Sequence, residues 1–389
     1  MEFLIHSSRD MKLKNLFLFL LGLCYSCVTP IKDFEQISHV KFLTIDATLT
    51  DQLNTTKVLI YRSSDDLTNS VFKPVTQAKV YFTDEKGLKE NLTESSVAGT
   101  YLPTKNFVGK IGSTYILIIE TSDGSVYQSS PETMKSSPEI ENIITRFELQ
   151  DNFSKGDARR GGFNVYLDFQ DPATIGDNYQ WVWKHFERAN TCSNCLFGTY
   201  NFRLNTCVIS NPPTSSTLNY RCNSDCWNIA YSSELNVFSD AYLNGQRITG
   251  KQVARVPFDS TSNYYFQLEQ RAITRNAFNY YQDLKIQTQN NGTLFDVPAE
   301  TRFSFNIKSN TNPEEKVLGL FDVYSVKKKI IYIDRTKGVP SDESPVYTNV
   351  VEGAIVECSP LEASFGCVDK TPCVEGRFRT KIKPEAWKD

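Results

Sequence analysis

The 389-residue sequence predicts a mostly β protein: an N-terminal immunoglobulin- or transthyretin-like sandwich, then a larger β domain with one helix and a cysteine-rich insertion. Three observations carry that prediction. The chain has 25 Phe, 19 Tyr and 4 Trp set among short runs of Val, Ile and Thr, residue types that fit a pleated, half-buried surface. Several runs alternate apolar with polar residues, the period of a strand. Turn signals such as DEKG (Asp84 to Gly87) and SDG (Ser122 to Gly124) separate them at hairpin spacing.

The first segment is LFLFLLGLCYSCVTPIKDFEQ, Leu16 to Gln36. Its apolar run ends at Leu23, well short of the roughly 20 residues that cross a bilayer as a helix. Lys12 and Lys14 precede it, the charge order of a secretory leader, so residues 1–26 read as a signal peptide whose true start is Met11. Small Ser26 directly precedes Cys27, whereas bulky Leu23 precedes Cys24. Cys27 is therefore expected to become the first mature residue and to carry lipid on its thiol and amine. Each buried methylene contributes about 0.8 kcal/mol, and two or more chains make such an anchor stable. Residues 27–38 form the lipidated tether. Within it, Lys32, Asp33, Phe34 and Glu35 resemble an export signal that sends a lipoprotein to the outer face of an outer membrane.

Residues 39–133 read as the sandwich. In HVKFLTIDATLT, Leu43, Ile45, Ala47 and Leu49 alternate with polar residues, and KVLIYRS, QAKVYFTD, TYILIIET and SVYQSS supply further strands. The stretch SSPETMKSSPEIEN (Ser129 to Asn142) has linker composition, which sets the second domain at 134–389. There, GGFNVYLDFQDP places Phe163, Val165, Leu167 and Phe169 on one face. NYQWVWKHF does the same for Tyr179, Trp181, Trp183 and His185. The three aromatics Tyr179, Trp181 and Trp183 are candidates for stacking on a ligand or partner, and core packing is the competing reading. Residues 189–230 form the cysteine-rich insertion, expected to rejoin the sheet near RVPFD, and NYYFQLEQ then directs Tyr264, Phe266 and Leu268 inward. TRNAFNYYQDLKIQTQN is the one helix, capped by Thr274 with Ala277, Tyr281 and Leu284 on one face. Strands at 303–307, 316–326 and 328–334 complete the domain.

Removing Cys24 with the leader and Cys27 for the lipid leaves eight cysteines: Cys192, Cys195, Cys207, Cys222 and Cys226, then Cys358, Cys367 and Cys373. An exported chain meets oxidising conditions, so all eight are disulfide candidates. Both groups are odd in number. Full pairing therefore requires an odd number of bridges between the insertion and the tail. The spacings CSNC and CNSDC also suit a four-thiolate zinc, but Cys207 would be left over and the compartment favours bridges, so no metal is expected.

Whole-chain charge is −3, and losing the leader through Ser26, with its three cations and two anions, makes it −4. Without a basic tract the chain is not expected to bind nucleic acid. Catalysis is not expected either. His39 and His185 lie in no motif, Glu314 and Glu315 sit in a turn composition, and no nucleophile elbow, P-loop or zinc-protease helix occurs. No cofactor is implied.

The motifs GGFNVYLDFQDP, NAFNYYQDLKIQTQNNGTLFDVP, NPEEKVLGLFDVYSV and the tail CVDKTPC…GRFRTKIKPEAW, in this order after the lipidated cysteine, resemble a lipoprotein family of Bacteroidota called domain of unknown function 4249. The tail is its most distinctive part, carried by Cys367, Cys373, Gly376, Lys383, Pro384 and Trp387. The resemblance implies a surface lipoprotein encoded beside TonB-dependent outer-membrane receptors. The expected function is thus a non-enzymatic, exterior-facing outer-membrane lipoprotein acting as an accessory or substrate-capturing subunit of a β-barrel transporter. A subunit of an outer-membrane assembly or secretion machine is the alternative, and a surface hydrolase with an unrecognised site the second.

Overall fold

The computed structural model describes residues 42–64, 72–149, 161–213, 217–258, 262–289, 305–338, 354–355 and 370–388. Cys27, the cluster Lys32, Asp33, Phe34 and Glu35, His39, Cys358 and Cys367 lie outside them.

The chain is mostly β, with one α-helix among the described residues. Strand Leu43–Thr50 pairs antiparallel with Lys57–Ser63, from Leu43 opposite Arg62 to Thr48 opposite Lys57. Its predicted inward residues Leu43, Ile45, Ala47 and Leu49 are all buried. They share one core with Val80 and Phe82 of Lys79–Asp84, Leu117 and Ile119 of Thr114–Glu120, and Tyr127 of Val126–Ser129. Burying side chains of this size contributes about 1.5–3 kcal/mol each, which is why the alternation fixes the register.

The sandwich expected over 39–133 is not closed by those residues. Its outer strand is Ile307–Ser309, paired with Val126–Ser129, and Leu43–Thr50 is flanked by Val317–Ile333 in parallel register. Ile307, Val317, Phe321 and Val323 belong to the same core as Leu43 and Ile45. The N-terminal strands therefore depend on strands that come far later in the chain.

Val317–Ile333 is one strand of 17 residues where two were expected. Its first half pairs with Leu43–Thr50. Its second half pairs antiparallel with Tyr264–Ile273, from Ala272 opposite Ser325 to Tyr264 opposite Ile333. The lysines where the two expected strands met are each engaged: Lys327 with Glu139, Lys328 with Glu385, and Lys329 with the carbonyls of Ile140 and Glu141. This strand joins the two halves of the protein into one sheet path.

The second core lies between that path and a three-stranded sheet of Asn142–Leu149, Gly161–Gln170 and Arg247–Pro257. Phe163, Val165, Leu167 and Phe169 face Tyr179, Trp181, Phe266 and Leu268 across it. Helix Arg275–Gln289 starts as predicted, with the Ala277 amide donating to Thr274 Oγ1 at 3.4 Å. Ala277 packs with Ile273, Leu320 and Tyr324 in a third cluster, and the Tyr281 hydroxyl donates to Asp322 Oδ2 at 2.7 Å.

Candidate functional site: a disulfide-stapled head

Strand Asn178–Arg188 has two parts. Its first seven residues pair with Tyr264–Ile273, whereas Lys184–Arg188 also carry Trp227–Tyr231 on the other side. Between Arg188 and Trp227 the chain leaves the sheet and builds a head. It returns at Trp227, well before the RVPFD segment at which the sequence suggested it would.

The head consists of Thr191–Cys195 paired with Leu218–Cys222, and a hairpin of Gly198–Asn201 and Thr206–Ile209. Its own core is small: Cys195, Tyr200 and Tyr220, with Leu218 against them. Three buried residues and one half-buried one are too few to hold such an excursion by burial alone. Disulfides supply what the core does not. Cys192–Cys222 closes the base, and Cys195–Cys207 ties the strand Thr191–Cys195 to the hairpin. Cys226–Cys373 fastens the C-terminal tail to the sheet edge beside it.

The tail is held by more than that bridge. Arg379 Nη1 donates to the Cys192 carbonyl at 2.7 Å and its Nε to Asn228 Oδ1 at 3.1 Å. Arg379–Thr380 pairs with Trp227 and Asn228, and the Trp387 ring packs between those of Trp227 and Tyr265. The odd split of cysteines anticipated a bridge of this kind between insertion and tail. CSNC and CNSDC do not converge as one four-thiolate set. The Sγ atoms of Cys192, Cys222 and Cys226 do lie within 4.8 Å of one another, as members of two adjacent disulfides.

The head presents large apolar side chains to solvent at both ends of its hairpin. Leu196, Phe197, Phe202, Leu204, Val208 and Ile209 are all exposed, reaching 65 % for Leu204 and 71 % for Ile209. Clustered apolar exposure of this kind marks interaction surfaces, whereas single exposed residues mean little. The hairpin carrying it is rigidly specified. A Cβ on Gly198 would lie 2.0 Å from the Val208 carbonyl oxygen, and Asn201 Oδ1 accepts from the amides of Arg203 and Leu204 at the turn. At the base a polar cleft of about 640 Å³ is lined by Arg188, Asn190, Arg221, Asn223, Asp225 and Lys370.

The family model described as "Domain of unknown function (DUF4249)" matches residues 29–330. The chain belongs to this family. The matched region of this DUF4249 protein contains the whole head and ends inside the long strand. It stops short of the tail motif that carried the resemblance most distinctively. No curated protein matches the chain.

Other predicted residues of this DUF4249 protein fall where packing needs them. Tyr179 and Trp181 are fully buried, so these two are core and not a stacking platform, and Trp183 is half-buried against the same cluster. Tyr179 donates to Asp171 and Trp181 Nε1 to Gln270 Oε1, and Trp183 packs on Phe266. His185 stacks on Tyr264 with ring centroids 3.7 Å apart, its Nδ1 2.8 Å from the Tyr265 carbonyl oxygen. Glu315 accepts from the Tyr127 hydroxyl. Sequence reasoning missed the head's exposed apolar side chains. The signal was CLFGTYNFRLNTC, where Leu, Phe and Leu without strand or helix periodicity sit between closely spaced cysteines.

Proposed function

We propose that this DUF4249 protein is a non-enzymatic lipoprotein, anchored through Cys27 on the exterior side of the outer membrane. It acts as an accessory or substrate-capturing subunit of an outer-membrane β-barrel, with a TonB-dependent transporter as the expected partner. The observation that carries the reading is the stapled head with its exposed apolar side chains. A head held by two disulfides that presents six large apolar side chains to solvent is built to contact something. Disulfides also suit an exported chain, in agreement with the leader and its lipid-accepting cysteine.

Affinity purification of a tagged chain after mild solubilisation is expected to recover a large barrel protein in stoichiometric amount. Recovery of the tagged chain alone would contradict the proposal. Depletion then separates the two kinds of barrel partner. Loss of uptake of one nutrient agrees with a transporter, and loss of many outer-membrane proteins would replace it with an assembly machine.

A further inference from the structure

Three aspartates meet at one end of the second core. Asp171 and Asp177 bracket the turn between strands Gly161–Gln170 and Asn178–Arg188, and Asp240 follows strand Asn236–Ser239. Each offers a carboxylate oxygen within 4.8 Å of the others, and all three residues are buried, at 2 %, 4 % and 0 % exposure.

Two of them have partners. Asp171 accepts from the Tyr179 hydroxyl at 2.5 Å and the Gly245 amide at 2.8 Å. Asp177 accepts from Lys135 Nζ at 2.8 Å and Thr174 Oγ1 at 2.5 Å. Asp240 is different: both its carboxylate oxygens are buried and accept no hydrogen bond. Asn178, next to Asp177 and paired across strands with Ser239, likewise has its Oδ1 buried and unpartnered while its Nδ2 donates to the Gly176 carbonyl at 3.0 Å.

Charge does not balance without a further cation. Lys135 is bonded to Asp177, and Arg275 reaches the same turn, with Nη1 3.4 Å from Ser239 Oγ, but neither donates to Asp240. A buried carboxylate with no donor loses its hydration with nothing in exchange, at a cost of several kcal/mol. The donors available are all oxygen, which selects a hard cation over zinc or copper. Two oxygens bound to one Ca²⁺ at about 2.4 Å each are at most about 4.8 Å apart, a limit that all three carboxylate pairs meet.

We propose that Asp171, Asp177 and Asp240 form a Ca²⁺ site. It ties the turn after Gly161–Gln170 to the loop after Asn236–Ser239 and so braces the sheet from which the head projects.

The test is titration of the chelator-treated mature chain with CaCl₂, followed by calorimetry and thermal melting. One ion is expected to bind, with a rise in melting temperature of about 2–4 °C at saturation. Asp240→Asn, which keeps the side-chain shape, is expected to weaken Ca²⁺ binding at least tenfold. Tb³⁺ bound there should luminesce on excitation of Tyr179, and CaCl₂ should displace it. No heat and no melting shift up to about 10 mM CaCl₂, ten times the weakest affinity of extracellular calcium modules, would overturn the proposal. An Asp240→Asn chain at least as stable as the parent at neutral pH in saturating CaCl₂ would overturn it in favour of carboxyls sharing a proton. Titration of the parent chain decides even where the variant does not fold.

Discussion

Gly319 stands opposite Ile45 in the parallel pair that joins the two halves of the chain, with its φ at +106°. A Cβ at this position would lie 1.9 Å from the Ile45 carbonyl oxygen. The strands approach this closely only because residue 319 has no side chain.

Gly319→Ala is therefore expected to force the parallel strands apart, at a cost of at least about 3 kcal/mol from overpacking and left-handed backbone strain together. Thermal melting checks this, with Gly87→Ala as control. Gly87 also has a positive φ, but no atom lies within 4 Å of a Cβ placed there. The control should lose only the backbone component, about 1–2 kcal/mol.

Asp322 gives the fold a pH dependence. It is fully enclosed, and burial pushes its carboxyl up to about 6, with the Tyr281 hydrogen bond and the charge of Arg271 pulling it back down. The unfolded value is about 3.9, so folding favours the protonated acid. That contribution is complete below about pH 4 and is lost as pH rises through about 6, a change of about 3 kcal/mol. Asp322→Asn should remove this component. The variant is expected to melt higher than the parent at pH 7.5, with the difference vanishing near pH 4.

The bridge Cys226–Cys373 spans 147 residues of sequence. Chain entropy alone would give such a loop about 5 kcal/mol of stabilisation. Replacing both cysteines by serine should lower the melting temperature and expose the 370–388 tail to protease. The head, closed by Cys192–Cys222 and Cys195–Cys207, should keep its two bridges, which peptide mapping under non-reducing conditions would show.

Much of the fold could be read from side-chain alternation, because period two is a local property. Leu43 to Leu49 and Phe163 to Phe169 face their cores as their spacing predicts, and Thr274 caps the helix it precedes. What the sequence concealed is non-local. Nothing near residue 45 signals a parallel partner at 319, and the groups that engage Lys327–Lys329 within one continuous strand, Glu139, Ile140 and Glu385, are far away in sequence. The aromatic run Tyr179–Trp183 attracted attention as a surface, but its hydroxyl and indole groups find buried acceptors in Asp171 and Gln270. The exposed apolar side chains of the head escaped for the opposite reason. Exposed Leu and Phe carry no periodicity, and only the flanking cysteines show that such a loop can hold a shape.

The measurement that tests the central claim most directly is site-specific photo-crosslinking from the head in intact cells. A photoreactive side chain at Leu204 or Ile209, both exposed on the head, is compared with one at Leu88, which is 65 % exposed between strands Lys79–Asp84 and Lys89–Glu94. Crosslinks to a β-barrel protein from Leu204 and Ile209, with none from Leu88, are the predicted result. Crosslinks to such a protein from Leu88 alone, or from none of the three positions, would contradict the assignment of the head as the partner-binding surface.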